Sequence, residues 1–196
     1  MLDLGAGFGM HSIPLARRGA RVVAIDSSAG LLATLGGLRG ELPIQAVNGD
    51  LLGFQSHLTE SPSAILCMGD TIAHLPDFGA VEKLIEQASS ELAPGGVFVA
   101  SFRDYSEPLR GKERFIPVRS DANRILTCFL EYEPEAVLVH DILHERAPEG
   151  WRTRVSCYRK LRLPPERLAG CLRSNGFEVR REPGMRGMVR ILAQRV

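Results

Sequence analysis

The first chemically informative feature of the chain is a glycine-rich turn that directly follows a short apolar segment. Gly5, Gly7 and Gly9 occupy every second position after the segment Leu2-Asp3-Leu4. Glycines in such a turn let the main chain approach a ligand without interference from Cβ atoms. The fingerprint of nicotinamide dinucleotide sites places a glycine three residues after its second glycine, and here that position is Met10. The spacing therefore makes a nicotinamide-dependent reductase the weakest interpretation.

Acidic residues follow the next two predicted strands. Asp26 comes directly after the apolar run 21–25, and Asp50 comes shortly after the run 44–47. In an open α/β sheet, ligands bind beyond the carboxyl ends of the strands, where the strand order reverses. Asp26 is placed to accept hydrogen bonds from two ribose hydroxyls, and Asp50 suits an adenine amine, with the Leu51 N–H able to reach the ring. The alternative for either acid is a helix cap without a ligand.

Further polar residues follow the fourth and fifth predicted strands. His74 is a candidate base, because histidine is a common proton acceptor near neutral pH, although it could instead pack its loop. Tyr105 could orient an acceptor or simply pack. Asp70 and Arg103 supply an anion and a cation after neighbouring strands. They could face one zwitterionic acceptor or pair with each other.

Strand and helix patterns alternate through the first hundred residues, which is typical of a parallel sheet with helices on both sides. Strands are predicted at about 1–4, 21–25, 44–47, 63–68 and 97–102, and helices at about 11–18, from a serine cap at 27–28 to 38, and at 77–92.

The pattern changes after residue 103. Residues 106–122 are interpreted as irregular, and three strand-like runs follow at about 124–133, 136–145 and 152–163. These runs predict an inserted antiparallel meander of three strands. Because they alternate apolar and polar residues, one face needs a partner, and we expect a homodimer through 124–163. A helix to about 174 and two strands, 177–181 and 188–196, end the chain.

The Asp-x-Gly-x-Gly-x-Gly pattern of residues 3–9 resembles motif I of the class I S-adenosylmethionine (SAM) methyltransferases. The resemblance implies a Rossmann-like, doubly wound α/β fold with a seven-stranded, mostly parallel sheet whose last strand is antiparallel. It implies SAM as the cofactor, with the glycine turn at the methionine moiety, Asp26 at the ribose and Asp50 at the adenine. Asp3 could equally stabilise the turn. The predicted cofactor-binding residues are Asp3, Gly5, Ala6, Gly7, Gly9, Asp26, Ser27, Gly49, Asp50, Leu51, Met68 and Gly69.

Two later segments point to one branch of this family. Residues 66–77 are similar to the Gly-Asn-Ser-x-x-His-Leu-x-Asp stretch of glycine N-methyltransferase and its small-molecule relatives, and Phe102-Arg103-Asp104-Tyr105 is similar to the Arg-Asp-Tyr segment of that group. The resemblance implies methylation of a small molecule at an amine nitrogen or an oxygen. Asp70 replaces the asparagine of the family, which favours an amine-bearing acceptor over glycine. The substrate-side candidates are His74, Asp70, Tyr105 and Arg103.

Family members usually carry helices before their first strand that cover SAM and the acceptor. In this chain the first predicted strand begins at Met1. Either the start of the chain has been lost or misassigned, or the inserted meander and a partner subunit supply the cover, because an open site would admit water. A SAM-binding module without catalysis remains an alternative.

Length and composition indicate one domain over residues 1–196. The chain is 44% hydrophobic, its mean hydropathy is −0.02, and no apolar run is long enough for a membrane span. Four scattered cysteines, without a Cys-x-x-Cys pair, indicate neither a metal site nor a disulfide framework, so a cytoplasmic location is expected. His140 and His144 share a strand face, which is interpreted as solvated rather than as a metal pair.

Charge is unevenly distributed along the chain. Residues 146–196 carry 13 Lys and Arg against 4 Asp and Glu, although the whole chain has a net charge of +1. Such asymmetry can mark a nucleic-acid face, but the arginines are not interleaved with aromatic residues. The segment after the fourth strand also lacks the Asp/Asn-Pro-Pro-aromatic motif of base-amino methyltransferases. A nucleic-acid methyltransferase is thus an alternative, and no nucleic-acid partner is expected.

Overall fold

The apolar runs that alternate with turn residues form a seven-stranded sheet connected by helices in the computed structural model, which describes residues 1–196. Contacts divide the chain into two compact units, residues 1–103 with 165–196, and residues 104–164. The elements of the first unit are β1 (Leu2–Leu4), α1 (Ser12–Arg17), β2 (Val22–Asp26), α2 (Ala29–Arg39), β3 (Ile44–Asn48), β4 (Ala64–Cys67), α3 (Phe78–Glu91), β5 (Val97–Phe102), α4 (Pro165–Ser174), β10 (Phe177–Pro183) and β11 (Val189–Arg195).

The strand order of the large sheet is β3-β2-β1-β4-β5-β11-β10. Strands β1 to β5 pair in parallel, whereas β11 runs antiparallel to both β5 and β10. The predicted Rossmann-like fold with an antiparallel last strand is therefore confirmed. The chain winds outward from β1 to β3 and then returns to place β4 on the other side of β1. The strand order thus reverses between β1 and β4, and this is where a ligand is expected.

Local sequence signals explain the helices that flank this sheet. The Asp77 carboxylate caps α3 by accepting a hydrogen bond from the Ala80 N–H at 2.8 Å. Leu84, Ile85 and Ala88 lie on the buried face of the same helix, as their spacing predicts. The predicted serine cap of α2 is Ser28, whose hydroxyl accepts from the Leu31 N–H at 3.4 Å. None of the helices combines the length and apolar character needed to cross a bilayer.

The second unit is built around a four-stranded antiparallel sheet. Its strands, which lie side by side in chain order, are β6 (Phe115–Ser120), β7 (Arg124–Tyr132), β8 (Ala136–Ala147) and β9 (Gly150–Leu161). The cross-strand register is regular from β7 to β9. The core of this unit contains Tyr105, Leu130, Val137 and Val139.

The predicted meander is confirmed as an antiparallel sheet, but its strand number is wrong. Strand β6 falls within residues 106–122, which were interpreted as irregular. Pro117 and the charged Arg119 interrupt its apolar pattern, and the pairing with β7 shifts between these two residues. Because β6 is an edge strand, a proline there removes no hydrogen bond from a central ladder. An edge position thus permits a strand whose sequence does not look like one.

Candidate functional site

The glycine turn begins the site because it carries the chain from β1 over the end of the sheet. Gly5 has φ 71° and Gly9 has φ 89°, both in the left-handed region. A Cβ atom on Gly5 would lie 2.3 Å from Oγ1 of Thr71, and one on Gly9 would lie 2.4 Å from Cδ1 of Leu35. The glycine at position 5 thus lets the turn pass directly beside Thr71, and the glycine at position 9 lets it pack on α2.

Asp26 joins this turn to the start of α2. Its Oδ2 atom accepts a hydrogen bond from the Gly7 N–H at 2.8 Å, and its Oδ1 atom accepts one from the Ser28 N–H at 2.8 Å. Each carboxylate oxygen has a further lone-pair site that can accept a hydroxyl proton. Asp26 is therefore held rigidly by main-chain donors and can still serve as a ligand acceptor. Gly7 itself has φ 55°.

Asp50 occupies the equivalent position after β3. Its Oδ1 atom accepts from the Leu52 N–H at 2.8 Å and caps the short 3-10 helix Leu51–His57. The Gly49 N–H donates to the Asp26 main-chain oxygen at 3.1 Å, which ties the ends of β2 and β3 together. Asp50 thus caps a short helix, and the cap engages only one of its two carboxylate oxygens.

These residues surround one cavity of about 570 Å³ at the carboxyl edge of the sheet. That volume falls within the range of about 300–1,000 Å³ that is typical of small-molecule sites. The sequence-predicted residues that line it are Gly5, Asp26, Ser27, Gly49, Asp50, Leu51 and His74. Five further residues also line it, namely Ile25, Leu52, Thr71, Leu75 and Pro76. Four of these five residues are next in sequence to a predicted site residue, and this proximity along the chain is the signal that identifies them.

Asp3 lies behind the turn and does not line this cavity. Its side chain is buried, and its Oδ2 atom accepts a hydrogen bond from the Ser12 hydroxyl at 2.5 Å. Burial raises the pKa of the Asp3 carboxyl, and the Ser12 hydrogen bond opposes that shift. The geometry of Asp3 therefore matches the turn-stabilising alternative, since its hydrogen bond to Ser12 connects β1 to α1.

Five other residues predicted to bind the cofactor are also absent from the cavity lining, namely Ala6, Gly7, Gly9, Met68 and Gly69.

Asp70 and Arg103 are brought together at the ends of β4 and β5. Oδ1 of Asp70 accepts a hydrogen bond from the Arg103 main-chain N–H at 2.6 Å, and Oδ2 lies 3.4 Å from Nε of Arg103. Asp70 has φ 74°, and its N–H donates to the Ser101 oxygen at 2.9 Å. Neither residue lines the cavity. The two side chains thus pair with each other, which is one of the two arrangements that the sequence left open.

The two remaining substrate-side candidates lie in different units. His74 ends the short 3-10 helix Thr71–His74 and lines the cavity. Tyr105 belongs to the second unit, where it packs in the core and meets the Tyr132 ring edge-on at 6.5 Å between ring centroids. Arg162 holds the main chain there by donating from Nε to the Tyr105 oxygen at 3.0 Å.

The two histidines of β8 have separate partners. Nε2 of His140 lies 3.0 Å from Oε2 of Glu131, and Nδ1 of His144 lies 2.8 Å from the Thr153 hydroxyl. No group of three or more His, Cys, Asp or Glu side chains is arranged to hold a metal ion.

Comparison with known proteins identifies relatives of the part of the chain that forms this cavity. Residues 1–96 match the family profile described as a methyltransferase domain. The cypemycin N-terminal methyltransferase of a Streptomyces species is 32% identical over 151 residues, which are 66% of this chain and 59% of that protein. The glycine/sarcosine N-methyltransferase of Halorhodospira halochloris is 32% identical over 108 residues, 54% of this chain and 40% of that protein. The chain thus spans about half the length of these curated relatives.

Solved structures share the fold over the whole chain. The CcbJ methyltransferase from Streptomyces caelestis superposes with a TM-score of 0.83 at 21% identity, covering 100% of this chain and 88% of that one. SAM-bound CalS10, an amino pentose methyltransferase from Micromonospora echinaspora, gives a TM-score of 0.79 at 20% identity, covering 100% and 82%. At these identities the superpositions establish the fold.

Proposed function

We propose that this chain, which belongs to the class I S-adenosylmethionine-dependent methyltransferases, binds SAM in the 570 Å³ cavity and methylates a small molecule. The observation that carries the proposal is the convergence of Gly5, Asp26 and Asp50 on one cavity where the strand order reverses. Relatives whose names include an acceptor or SAM support this proposal.

The cavity offers the chemical groups that an adenosyl ligand requires. Asp26 is assigned to the ribose hydroxyls. Main-chain N–H groups fix both of its carboxylate oxygens, and an ionised carboxylate can accept further hydrogen bonds but cannot donate them. Asp50 is assigned to the adenine amine, with the Leu51 N–H directed to the ring. The glycine turn, together with Thr71, is assigned to the methionine end. These assignments are proposals that binding measurements can separate residue by residue.

Bound SAM supplies a methyl group on a sulfonium centre, which is already activated for in-line displacement. The contribution of the protein is then mainly orientation and exclusion of water, and effective molarities of well-oriented reactants correspond to roughly 7–11 kcal/mol. His74 is the histidine of the cavity lining, and we propose it as the base that takes a proton from an acceptor amine or hydroxyl. A base is needed only when the acceptor must lose that proton.

The acceptor class is proposed as an amine, with an oxygen as the alternative. The relatives named above act, by their names, on the N-terminus of cypemycin, on glycine and sarcosine, and on an amino pentose. A ubiquinone biosynthesis O-methyltransferase of Xylella fastidiosa also matches, with 35% identity over 107 residues. Arg103 is proposed to contact the acceptor, and Asp70 is proposed to position Arg103. For Tyr105 we propose the packing alternative, because its side chain is buried in the core of the second unit.

Incubation with methyl-labelled SAM tests the proposal directly. Label should transfer to at least one member of a panel of small amines and hydroxylated acceptors, and S-adenosylhomocysteine should bind in calorimetry. Binding without transfer to any acceptor would favour a non-catalytic SAM-binding module. Transfer to DNA or RNA alone would favour a nucleic-acid methyltransferase. Failure of both adenosyl ligands to bind, or tighter binding of NAD, would refute the cofactor assignment.

We further propose that the second unit forms a homodimer through residues 124–163. Phe115, Ile125 and Val155 are exposed, and the strand register places them on one face of the four-stranded sheet. An exposed apolar face of this kind is stabilised by burial against a second copy. Light scattering at micromolar concentration should give the mass of a dimer, and Val155→Glu should shift it toward the monomer. A monomeric wild-type profile would contradict this.

The four free thiols support a cytoplasmic location, which fractionation of the native host can check.

A further inference from the structure

Strand β9 lies at one edge of the four-stranded sheet, and most of it is exposed. It pairs with β8 on one side only, from Gly150 to Leu161, without a break in the register. All side chains of residues 150–157 are exposed, although successive side chains point to opposite faces of the sheet. A long exposed edge presents a row of main-chain donors and acceptors to which another extended chain can add.

The hydrogen bonds of the sheet show which main-chain groups of β9 point outward. The N–H of Arg162, the residue after β9, donates to the Glu135 oxygen at 2.9 Å, so the main chain of Arg162 faces the β8 side. In an antiparallel pair, successive residues alternate between facing the partner strand and facing away from it. Counted back from Arg162, the odd-numbered residues of β9 face away. The N–H and C=O groups of Trp151, Thr153 and Val155 therefore point outward, and we call this row of groups the β9 edge.

The charge of β9 restricts which chain can add at this edge. The strand contains Arg152, Arg154, Arg159 and Lys160 and has no acidic residue. A second copy of β9 would bring the same cations to the same edge, and like charges on adjacent strands are destabilising. Charged residues on an edge strand also discourage apolar strands from pairing with it. The β9 edge therefore disfavours self-pairing and favours a chain that carries carboxylates.

The two faces of β9 match different side chains on an added strand. Arg152 is opposite Glu145 in the β8–β9 register, and Arg154, two residues further along, pairs with the same carboxylate. Both arginines therefore lie on one face of the sheet. Glu145 also pairs with an arginine of β7, so this face keeps a positive charge after its internal pairing. Trp151 and Val155 are exposed on the opposite face, where they match apolar side chains.

We propose that the β9 edge binds an acidic, extended segment of a partner protein as an added antiparallel strand. Carboxylates of that segment lie beside Arg152 and Arg154, and its alternate, apolar side chains lie beside Trp151 and Val155. Main-chain hydrogen bonds and charge-assisted contacts both stabilise the complex, and the alternation of side chains gives its specificity. The added strand lies in the plane of the sheet, whereas the proposed dimer contact uses one face. The proposal does not rest on the methyltransferase function, because β9 and the cavity belong to different units.

Fluorescence anisotropy with the full chain and labelled synthetic peptides tests the proposal. The probe is a short, end-blocked peptide of alternating Glu and Val residues. Its control has the same composition arranged as a block of Glu followed by a block of Val, so the net charge is unchanged. We expect saturable binding of the alternating peptide and at least about tenfold weaker binding of the block peptide. The reason is that only the alternating order places every carboxylate on the face of Arg152 and Arg154.

Methylation of the peptide amides separates strand addition from simple charge attraction. In antiparallel addition, the peptide residues opposite Thr153 and Val155 share their face and exchange main-chain hydrogen bonds with them. These residues are the Val residues of the probe. N-methylation of the Val amides should therefore abolish binding, whereas N-methylation of the Glu amides should leave most of it. An equal effect of the two modifications overturns strand addition.

Variants of the protein test the two components of the β9 edge. Arg152→Gln/Arg154→Gln should weaken binding of the alternating peptide by at least about tenfold, because each charge-assisted contact is worth about that factor. The control Arg17→Gln/Arg173→Gln removes the same charge from exposed helix positions and should change the dissociation constant by less than about twofold. Val155→Pro removes one outward N–H without taking a hydrogen bond from the ladder to β8, so it should weaken binding while the Tm stays close to that of the wild type.

Three further outcomes overturn the proposal. One is the absence of saturable binding of the alternating peptide, and another is an equal loss of affinity in the two double variants, which would indicate non-specific attraction. The third is tighter binding of a short single-stranded oligonucleotide with the same dependence on Arg152 and Arg154, which would make the β9 edge a nucleic-acid contact. Thermal melting of each variant checks its folding. The methylated peptides decide the question if a variant fails to fold, because they are measured on the wild-type protein.

Discussion

The Asp70 carboxylate is held more closely by the main chain of Arg103 than by its side chain. The N–H of Arg103 donates to Oδ1 at 2.6 Å, whereas Nε lies 3.4 Å from Oδ2. The Asp70 side chain is 5% exposed and that of Arg103 is 43% exposed. Any residue except proline would keep the main-chain contact. The guanidinium group is therefore not required to brace the loop and remains accessible for a ligand.

Replacement of Arg103 by alanine should consequently separate substrate recognition from folding. The main-chain hydrogen bond to Asp70 survives, and a half-exposed ion pair contributes at most about 1 kcal/mol. We expect the Tm and the dissociation constant for SAM to change little, while the KM for the acceptor found in the labelled panel rises about tenfold or more. A drop in Tm without a change in KM would show that Arg103 only braces the loop.

Asp70 should behave in the opposite manner. Asp70→Ala removes a buried acceptor from the Arg103 N–H and places alanine at φ 74°, so unfolding should become easier by about 1–3 kcal/mol. Asp70→Asn retains an acceptor oxygen and tolerates the left-handed conformation, and it should lose clearly less stability. Urea unfolding of both variants provides the comparison. Equal losses would indicate that charge, rather than loop geometry, is what Asp70 supplies.

Asp26→Ala should weaken binding of SAM and of S-adenosylhomocysteine. Charge-assisted hydrogen bonds contribute roughly 1.5–3 kcal/mol each, so calorimetry should show at least about a tenfold loss of affinity. Because Asp26 also accepts from the N–H groups of Gly7 and Ser28, some loss of Tm is expected as well. Asp77→Ala loses a similar capping bond, to Ala80, outside the cavity and therefore serves as a control for stability. An unchanged dissociation constant in Asp26→Ala would exclude Asp26 as the ribose ligand.

Gly5→Ala should destabilise the fold for two separable reasons. Its new Cβ would lie 2.3 Å from Oγ1 of Thr71, and φ 71° is strained for alanine. Together these should cost about 2–4 kcal/mol in urea unfolding. Adding Thr71→Ala should restore part of the steric loss, because it removes Oγ1 and Cγ2 but leaves a Cβ atom 2.9 Å from the new one. Gly36→Ala on α2 meets no atom within 4 Å and should stabilise the protein by about 0.5–1 kcal/mol. If Gly5→Ala were as well tolerated as Gly36→Ala, the turn would not require glycine at this position.

The sequence predicts those parts of the site that lie just after the carboxyl end of a strand. Asp26 follows an apolar run and Asp50 lies shortly after the strand-like run 44–47, and parallel strands bring such ends to one edge of the sheet. Helix α3 was equally predictable, since Asp77 precedes a clear 3.6-residue pattern. In each case the local signal and the tertiary contacts favour the same conformation, and this agreement makes the pattern informative.

The parts that sequence reasoning missed depend on contacts between distant segments. Thr71 and Leu75 line the cavity because short turns place them there, and their residue types do not signal it. The buried state of Asp70 follows from the positions of Ser101, on the neighbouring strand β5, and of Arg103, directly after that strand. Strand β6 forms because β7 offers it an edge, although Pro117 disfavours a strand. None of these features has a periodic signal along the chain.

The buried Asp3 carboxyl predicts a pH dependence of stability. Burial raises its pKa in the folded protein above the ordinary value, so in the interval between the two pKa values the folded state retains a proton that the unfolded chain has lost. The free energy of unfolding should therefore fall as pH rises through this interval and carry a constant penalty above it. Asp3→Asn removes the penalty, because a neutral amide oxygen can still accept from the Ser12 hydroxyl. Urea unfolding from pH 4 to pH 8 should show Asp3→Asn at least as stable as the wild type at pH 8, with the two converging toward pH 4.

Asp121→Asn is the control of opposite sign. Main-chain N–H donors, led by that of Asn123, lower the pKa of Asp121, so the contribution of this carboxylate to the free energy of unfolding is lost as pH falls. A wild-type protein that is more stable than Asp3→Asn at pH 8, but not at pH 4, would mean that ionised Asp3 stabilises the glycine turn.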